Sequence, residues 1–116
     1  SIDVVNDATI LVSKLEGMRM GYNRQYPDLY EVGEDITVGV NESSAENRVS
    51  VENQGNANLS LYGLKIGDDV STVTRVLKEN GFRAVSGQPY DYIRGDGTKL
   101  TITLQSGKLA AFGYYF

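Results

Sequence analysis

The clearest pattern in the chain is a run of apolar residues at the spacing of an α-helix. Its members are Val70, Val73, Val76 and Leu77. A period of 3.6 residues puts all of them on one stripe, and Asp68 or Asp69 can accept hydrogen bonds from the free N–H groups of the first turn. Gly81 supplies the left-handed residue that ends many helices, with Phe82 placed to contact Leu77. The pattern predicts a capped helix that begins at Val70 and packs on a sheet.

A similar pattern near the start of the chain predicts another helix. Its apolar positions are Ala8, Ile10, Leu11, Val12 and Leu15. Asn6 or Asp7 stands where a helix cap is needed, and Gly17 follows the run as Gly81 follows the later one.

Strict alternation of apolar and polar residues predicts antiparallel strands in both halves of the chain. Residues 36–40 and 100–104 alternate, as do shorter runs from 48 and 108. One side of these strands would face the helices, and the other would face away from them. The residues expected in the core are Ile36, Val38, Val40, Val49, Val51, Leu100, Ile102, Leu104, Leu109 and Ala111.

The two halves of the sequence match each other at a constant offset. An offset of 64 residues relates Gly17 to Gly81 and Tyr26 to Tyr90, and it also relates residues 36–40 to 100–104. We therefore predict a single α+β domain of two tandem repeats, residues 1–56 and 57–116. Each repeat would be a helix followed by an antiparallel hairpin, and together they would form one antiparallel sheet with both helices on one face.

The face of the sheet turned away from the helices is the predicted binding surface. Its expected residues are Tyr62, Tyr90, Tyr92, Thr101, Thr103, Phe112, Tyr114 and Phe116. Phe112, Tyr114 and Phe116 would form an exposed aromatic row, and such patches often mark interaction sites. A β-bulge after Leu109 would instead turn the same three rings into the core, and the sequence leaves both registers open.

Composition removes several classes of chemistry. The 116 residues include no histidine and no cysteine, so the commonest general base, thiol nucleophile and transition-metal ligands are missing. The net charge of −4 and the lack of a basic cluster argue against a nucleic-acid partner. No apolar run is long enough for a transmembrane segment. The sequence predicts neither a metal site nor a cofactor.

The tripeptide Arg94-Gly95-Asp96 spells a motif that integrins read in a turn. It stands between two alternating runs, where a tight hairpin needs the same residue types. We interpret it as the turn of a hairpin.

The segment from Gly63 to Phe82, followed by a tyrosine-containing strand and a hairpin, resembles a known module. Ile66, Gly67 and Asp68 before the helix, and Gly81 after it, are similar to the pattern in β-lactamase inhibitor proteins and SmpA/OmlA-type outer-membrane lipoproteins. The chain lacks the cysteine pairs of the inhibitors. The resemblance implies a tandem module that binds a protein through the open face of its sheet, secreted or anchored at a bacterial cell surface.

The function predicted from the sequence is that of a non-enzymatic protein-binding module, as the exported part of a surface lipoprotein or as an inhibitor-like protein. An alternative is a structural domain that forms a homodimer, either through the edge of the strand ending at Phe116 or through the aromatic face. A hydrolase that uses carboxylates is the third hypothesis, and it requires a deep cleft with converging acidic residues.

Overall fold

The computed structural model describes residues 2–3, 19–22, 29–32, 35–40 and 49–115 of the chain. Most of these residues lie in one antiparallel sheet, with one helix and one short pair of parallel strands beside it. The elements are β1 (Ile2–Asp3), β2 (Arg19–Tyr22), β3 (Leu29–Val32), β4 (Ile36–Val40), β5 (Val49–Asn53), β6 (Leu59–Ser60), α1 (Val70–Glu79), β7 (Arg83–Val85), β8 (Gln88–Ile93), β9 (Lys99–Gln105) and β10 (Lys108–Tyr115).

The large sheet consists of two antiparallel meanders that meet along one pair of strands. The order of its eight described strands is β2-β3-β4-β5-β10-β9-β8-β7, while β1 and β6 pair separately in parallel. β5 and β10 join the two meanders, so β10 is paired on both sides. This two-sided pairing covers Phe112–Tyr115, so that part of the predicted edge strand has a neighbour on each side, and Phe116 itself lies outside the described residues.

The predicted fold class, with two helices on one face of the sheet, is wrong. The described residues form a mainly antiparallel β structure with the single helix α1. Part of the reason lies in the segment 59–64, where Leu59, Leu61 and Leu64 are as deeply buried as the helix residues Val73 and Leu77. These leucines cover sheet that the prediction had assigned to helices. The first predicted helix, over residues 8–15, lies outside the described residues.

The predicted helix of the second half is confirmed, with one change at its start. Asp69 occupies the N-cap position, but its side chain makes no capping hydrogen bond and pairs with Lys108 at 3.0 Å. The end follows a Schellman motif, because Gly81 N–H donates to Lys78 O and Phe82 N–H donates to Leu77 O. Gly81 has a φ of 86°, which favours glycine. No helix in the described part of the chain is long and apolar enough to span a membrane.

A β-bulge in β10 decides which residues enter the core. The pairing of β10 with β9 shifts between Leu109 and Ala111, so Phe112 lies opposite Ile102 and Tyr114 lies opposite Leu100. Phe112 and Tyr114 are only 2% and 3% exposed. The predicted exposed aromatic row is wrong for these two residues, because the extra residue reverses the alternation after Leu109.

The bulge also displaces Ala111, which the sequence placed in the core. Ala111 lies opposite Thr103, so its methyl group is on the face turned away from α1, although it is shielded by neighbouring residues. The other predicted core residues with described side chains point as expected, and the side chains of Val40 and Val49 lie outside the described residues. The core that results is closed by α1, Phe82 and the segment 59–64.

Candidate functional site on the open face of the sheet

The sheet face opposite α1, which we call the open face, is the candidate site. Cross-strand pairing places Asp91, Thr101, Gly113 and Glu52 in one row across β8, β9, β10 and β5. The next row contains Ile93, Lys99, Tyr115 and Ser50. The core of the described residues lies on the other side of the sheet, so these two rows are not part of it.

A groove of about 490 Å³ runs along this face where β8, β9 and β10 meet. The residues that line it are Val85, Gln88, Asp91, Tyr92, Ile93, Lys99, Leu100, Thr101 and Tyr115. Aliphatic and aromatic surface thus lies beside a hydroxyl, an amide and charges of both signs. This mixture is typical of surfaces that bind polypeptide, in which apolar area supplies energy and polar groups fix orientation.

Tyr115 is the aromatic residue that the open face presents. Its hydroxyl donates a hydrogen bond of 3.0 Å to Glu52 Oε1, which orients the ring along the sheet. Burial, and then the negative charge of Glu52, raise the pKa of Tyr115 above its usual value. The phenol therefore stays protonated and keeps donating to Glu52 near neutral pH.

Gly113 makes this position of the tyrosine ring feasible. A Cβ atom on Gly113 would lie 2.6 Å from the hydroxyl oxygen of Tyr115 and 2.8 Å from Thr101 Oγ1. Both distances are shorter than van der Waals contact, so a larger residue would push Tyr115 away from Glu52. Gly113 is therefore required because it has no side chain, and not because of its backbone conformation.

The structure brings few of the predicted binding residues together. Thr101 and Thr103 lie on the open face, as expected. Phe112 and Tyr114 belong to the core, and Tyr62 and Tyr92 pack against it from its margin. Tyr90 is exposed, at 54%, but it lies beyond the groove. Phe116 is outside the described residues.

Tyr62 joins a hydrogen-bonded network at the margin of the core. Its hydroxyl lies 2.7 Å from the hydroxyl of Tyr114 and accepts a 2.7 Å hydrogen bond from Arg94 Nη1. The guanidinium of Arg94 also stacks on the ring of Phe82, at 4.7 Å from its centroid. Burial, and then the bond to Tyr62, raise the pKa of Tyr114. These contacts give Tyr62 and Tyr114 structural partners, so neither offers a free ring to a ligand.

The backbone around Tyr62 places its ring in this network. Leu61 and Leu64 form a two-way bridge, with Leu61 N–H donating to Leu64 O and Leu64 N–H donating to Leu61 O. Tyr62 and Gly63 form the turn between them, with φ values of 53° and 78°. A left-handed φ is unfavourable for tyrosine, so the contacts of its side chain offset a local cost.

The Arg94-Gly95-Asp96 tripeptide forms a hairpin turn, as interpreted from the sequence. Arg94 Nε donates to both carboxylate oxygens of Asp96 at 3.1 Å, and Arg94 Nη2 lies 3.0 Å from Asp96 Oδ2. This hydrogen bond lowers the pKa of Asp96 to about 2. Since the two charged side chains bind each other and Arg94 also bonds inward to Tyr62, the motif is not arranged for adhesion.

Tyr115, Glu52, Asp91 and Lys99 are among the open-face residues that the predicted site did not include. Tyr115 was omitted because of the bulge, which places Tyr115 on the open face, where the prediction had placed Tyr114. The bulky residues of 108–115 carried a usable signal. After residue 111, the alternate positions 112 and 114 hold Phe and Tyr, whereas 113 and 115 hold Gly and Tyr. In a half-buried strand, the set of alternate positions with the larger side chains normally faces the core.

The described residues also limit the chemistry of the face. Among them, no three His, Cys, Asp or Glu side chains come together as metal ligands. Asp91 is the one acidic residue among the described residues that line the groove, so the groove does not hold a pair of converging carboxylates. No protein-family model, curated protein or solved structure matches this chain.

Proposed function

We propose that this chain is a non-enzymatic protein-binding module and that the open face of its sheet is the binding surface. The observation that carries the proposal is the groove between β8, β9 and β10, which combines the aliphatic surface of Ile93 with the ring of Tyr115 on the face turned away from α1. Tyrosine offers a large contact area at a low entropic cost, and it is enriched in protein interfaces.

The charges of the groove favour polypeptide over nucleic acid. Asp91 and Lys99 lie on neighbouring strands within the same groove, so the surface has no single sign of charge. A phosphate backbone needs clustered cations, whereas a protein partner can match both signs. The net charge of −4 points the same way.

The proposed binding residues are therefore Tyr115, Thr101, Lys99 and Asp91. Thr103 and Ser50 extend the surface on either side as polar rim residues. The resemblance of 63–82 to β-lactamase inhibitor proteins and outer-membrane lipoproteins supports an exported protein of inhibitor or surface-lipoprotein type. A lipid anchor or secretion is part of this proposal.

A peptide selection would test the proposal, and it does not require that the partner be identified first. The protein is used to select binders from a random displayed peptide library, and the strongest peptides are mapped on it by amide chemical shifts. We expect the shifts to centre on Lys99, Thr101 and Tyr115. Thr101→Arg should block the groove and weaken binding more than tenfold, since a buried interface centre tolerates no unpaired bulk (about 2 kcal/mol or more).

Thr74→Arg is the matched control, because it makes the same change on the exposed surface of α1. It should leave peptide affinity unchanged. Peptides whose shifts avoid the open face, or whose affinity is the same for both arginine variants, would show that this face is not the binding surface.

A further inference from the structure

The strand β9 has a free edge over half of its length. β10 pairs with β9 along 99–105, but β8 pairs with it only at Lys99, Leu100 and Thr101. No described strand pairs with residues 102–105 on the side of β8. Because alternate residues of a strand direct their N–H and C=O groups to opposite sides, two of these four residues present unpaired backbone groups there.

An irregularity in β8 opens this edge. The pairing of β8 with β7 jumps from Tyr92 opposite Ala84 to Gln88 opposite Val85, so the intervening residues of β8 have no partner on β7. Pro89 is among them, and it has no N–H to donate. A bulge of this kind bends a strand, and the first half of β8 consequently leaves β9.

The free edge of β9 lacks the devices that normally protect edges. Ile102, Thr103, Leu104 and Gln105 include no charge and no proline, and they are residues that suit an extended chain. The outer strand β7 is different, because it is three residues long, begins with Arg83 and has an irregular register. Among the described strands, the sheet is thus protected at β7 and unpaired along residues 102–105 of β9.

We propose that the free edge of β9, residues 102–105, binds an extended segment of a partner protein as an added antiparallel strand. Main-chain hydrogen bonds would supply affinity in this mode of recognition, and alternate side chains would supply specificity. On the core side the incoming strand meets half-buried Leu104, which requires an apolar residue. On the open face it meets exposed Thr103, which suits a β-branched polar residue.

A peptide segment fits this edge better than a second copy of the chain. Four residues span only about 13 Å of strand, whereas a stable interface between folded proteins buries about 1,200 Å² or more. Tyr90, with 54% exposure, stands one residue before Asp91, the partner of Thr101. Because Tyr90 precedes the first residue of β8 that pairs with β9, its exposed ring is placed to cover an incoming strand.

A synthetic peptide tests this proposal. The probe is a capped heptapeptide, Lys-Thr-Val-Thr-Val-Thr-Lys, and its analogue carries N-methyl groups on alternate residues of the hydrogen-bonding edge. At ten times its Kd, the unmodified peptide should slow hydrogen exchange of the outward amides in 102–105 about tenfold, because exchange proceeds from the free form. The methylated analogue should not bind. Tyr90→Ala should weaken binding up to about fivefold, with Thr74→Ala as the neutral control.

Three results would overturn the proposal. One is equal binding by the methylated analogue, and another is no chemical-shift change at millimolar peptide. The last is a concentration-dependent dimer that protects the same amides without peptide. Shifts that centre on Lys99 and Tyr115 instead would reject the edge while leaving the open-face function intact, because the two surfaces are tested by different amides.

Discussion

The hairpins β4–β5 and β9–β10 occupy equivalent places in the two meanders, yet one is regular and the other is bulged. In the first, Val40 pairs with Val49 and Val38 pairs with Val51, with no shift along the five pairs. In the second, Leu104 pairs with Leu109, but Ile102 pairs with Phe112. The offset between the partner strands therefore grows from 109 − 49 = 60 to 112 − 51 = 61.

The one additional residue determines which chemistry each face receives. Without the additional residue, Ala111 would take the core position that corresponds to Val51, and Phe112 and Tyr114 would lie on the open face. With it, two large rings fill the core, and Tyr115 and Gly113 shape the groove. A bulge next to a binding surface is a common way to re-aim side chains.

The sharpest test of this comparison is to delete one residue from each hairpin. Deleting Ser50 shifts Val51 and Asn53 off the core and turns Glu52 into it. We expect a loss of about 4–7 kcal/mol or complete unfolding, from the burial of Val51 and the hydrogen bonds of Asn53. Deleting Ala110 removes only the bulge, so Phe112 and Tyr114 keep facing the core and the loss should be much smaller.

Urea unfolding of both deletion variants measures this difference. The two deletions act as controls for each other, because each removes one small residue from one of the two central strands. If the Ala110 deletion is as damaging as the Ser50 deletion, then Ala110 is not the extra residue and the bulge does not set the register.

The two hairpins also explain how far the sequence could predict the fold. Alternation gave the correct inward faces for Ile36, Val38 and residues 100–104, because strands with one buried face have a period of two. The helix end at Gly81 was predictable for a similar reason, because its hydrogen bonds join residues that are close in the sequence. A bulge after Leu109 was one of the two registers that the sequence left open, and Leu109 and Ala110 could not decide between them, since such residues fit a regular strand and a bulged strand alike. The error then passed to every later position of β10.

The closure of the core was missed for a different reason. Nothing in the local sequence around Leu59, Leu61 and Leu64 shows that their side chains pack on the sheet where a second helix was expected. Contacts of this kind depend on the tertiary arrangement. The same limit applies to the candidate site, where Glu52 reaches Tyr115 from a different strand and 63 residues away in the chain.

The ends of the two hairpins are stabilised by different polar groups. Asn53 lies opposite Ile36, and Tyr114 occupies the equivalent place opposite Leu100. The side chain of Asn53 is fully buried. Its Nδ2 donates to the carbonyl oxygens of Asn56 and Leu59, and its Oδ1 accepts from the amides of Gly55 and Asn56. This one residue thus holds the loop that leads to the three buried leucines.

Substitutions at these equivalent positions should differ in cost. Asn53→Ala removes four hydrogen bonds to the backbone of Gly55, Asn56 and Leu59 from a fully buried site, and we expect a loss of about 2–4 kcal/mol. Tyr114→Phe removes one hydroxyl, and its neighbour, the hydroxyl of Tyr62, remains bonded to Arg94. We therefore expect a loss of about 0.5–1.5 kcal/mol. Denaturant unfolding measures both losses, and Asn58→Ala, at an exposed position of the same loop, is the control. A larger loss for Tyr114→Phe would reverse the assignment.

The smallest expected effect concerns the turn that joins β8 to β9, where Arg94 pairs with Asp96. The folded state lowers the pKa of Asp96 from 3.8 to about 2. The pair therefore stabilises the fold above pH 4, and this contribution disappears as the pH falls from about 4 to 2, because the unfolded carboxyl takes up its proton first. Since the Asp96 side chain is 56% exposed, solvent screening keeps the gain below about 1 kcal/mol.

Asp96→Asn should accordingly be less stable than the native chain at pH 7 and equal to it at pH 2. The amide keeps the size of the side chain and can still accept the hydrogen bond that Thr98 N–H donates to Asp96 Oδ1. Urea unfolding of both proteins at several pH values gives the two curves. If the difference in stability between the two proteins is constant over this pH range, the charge of Asp96 does not stabilise the turn. The turn between β8 and β9 would then depend on its backbone hydrogen bonds, such as that from Arg94 N–H to Thr98 O.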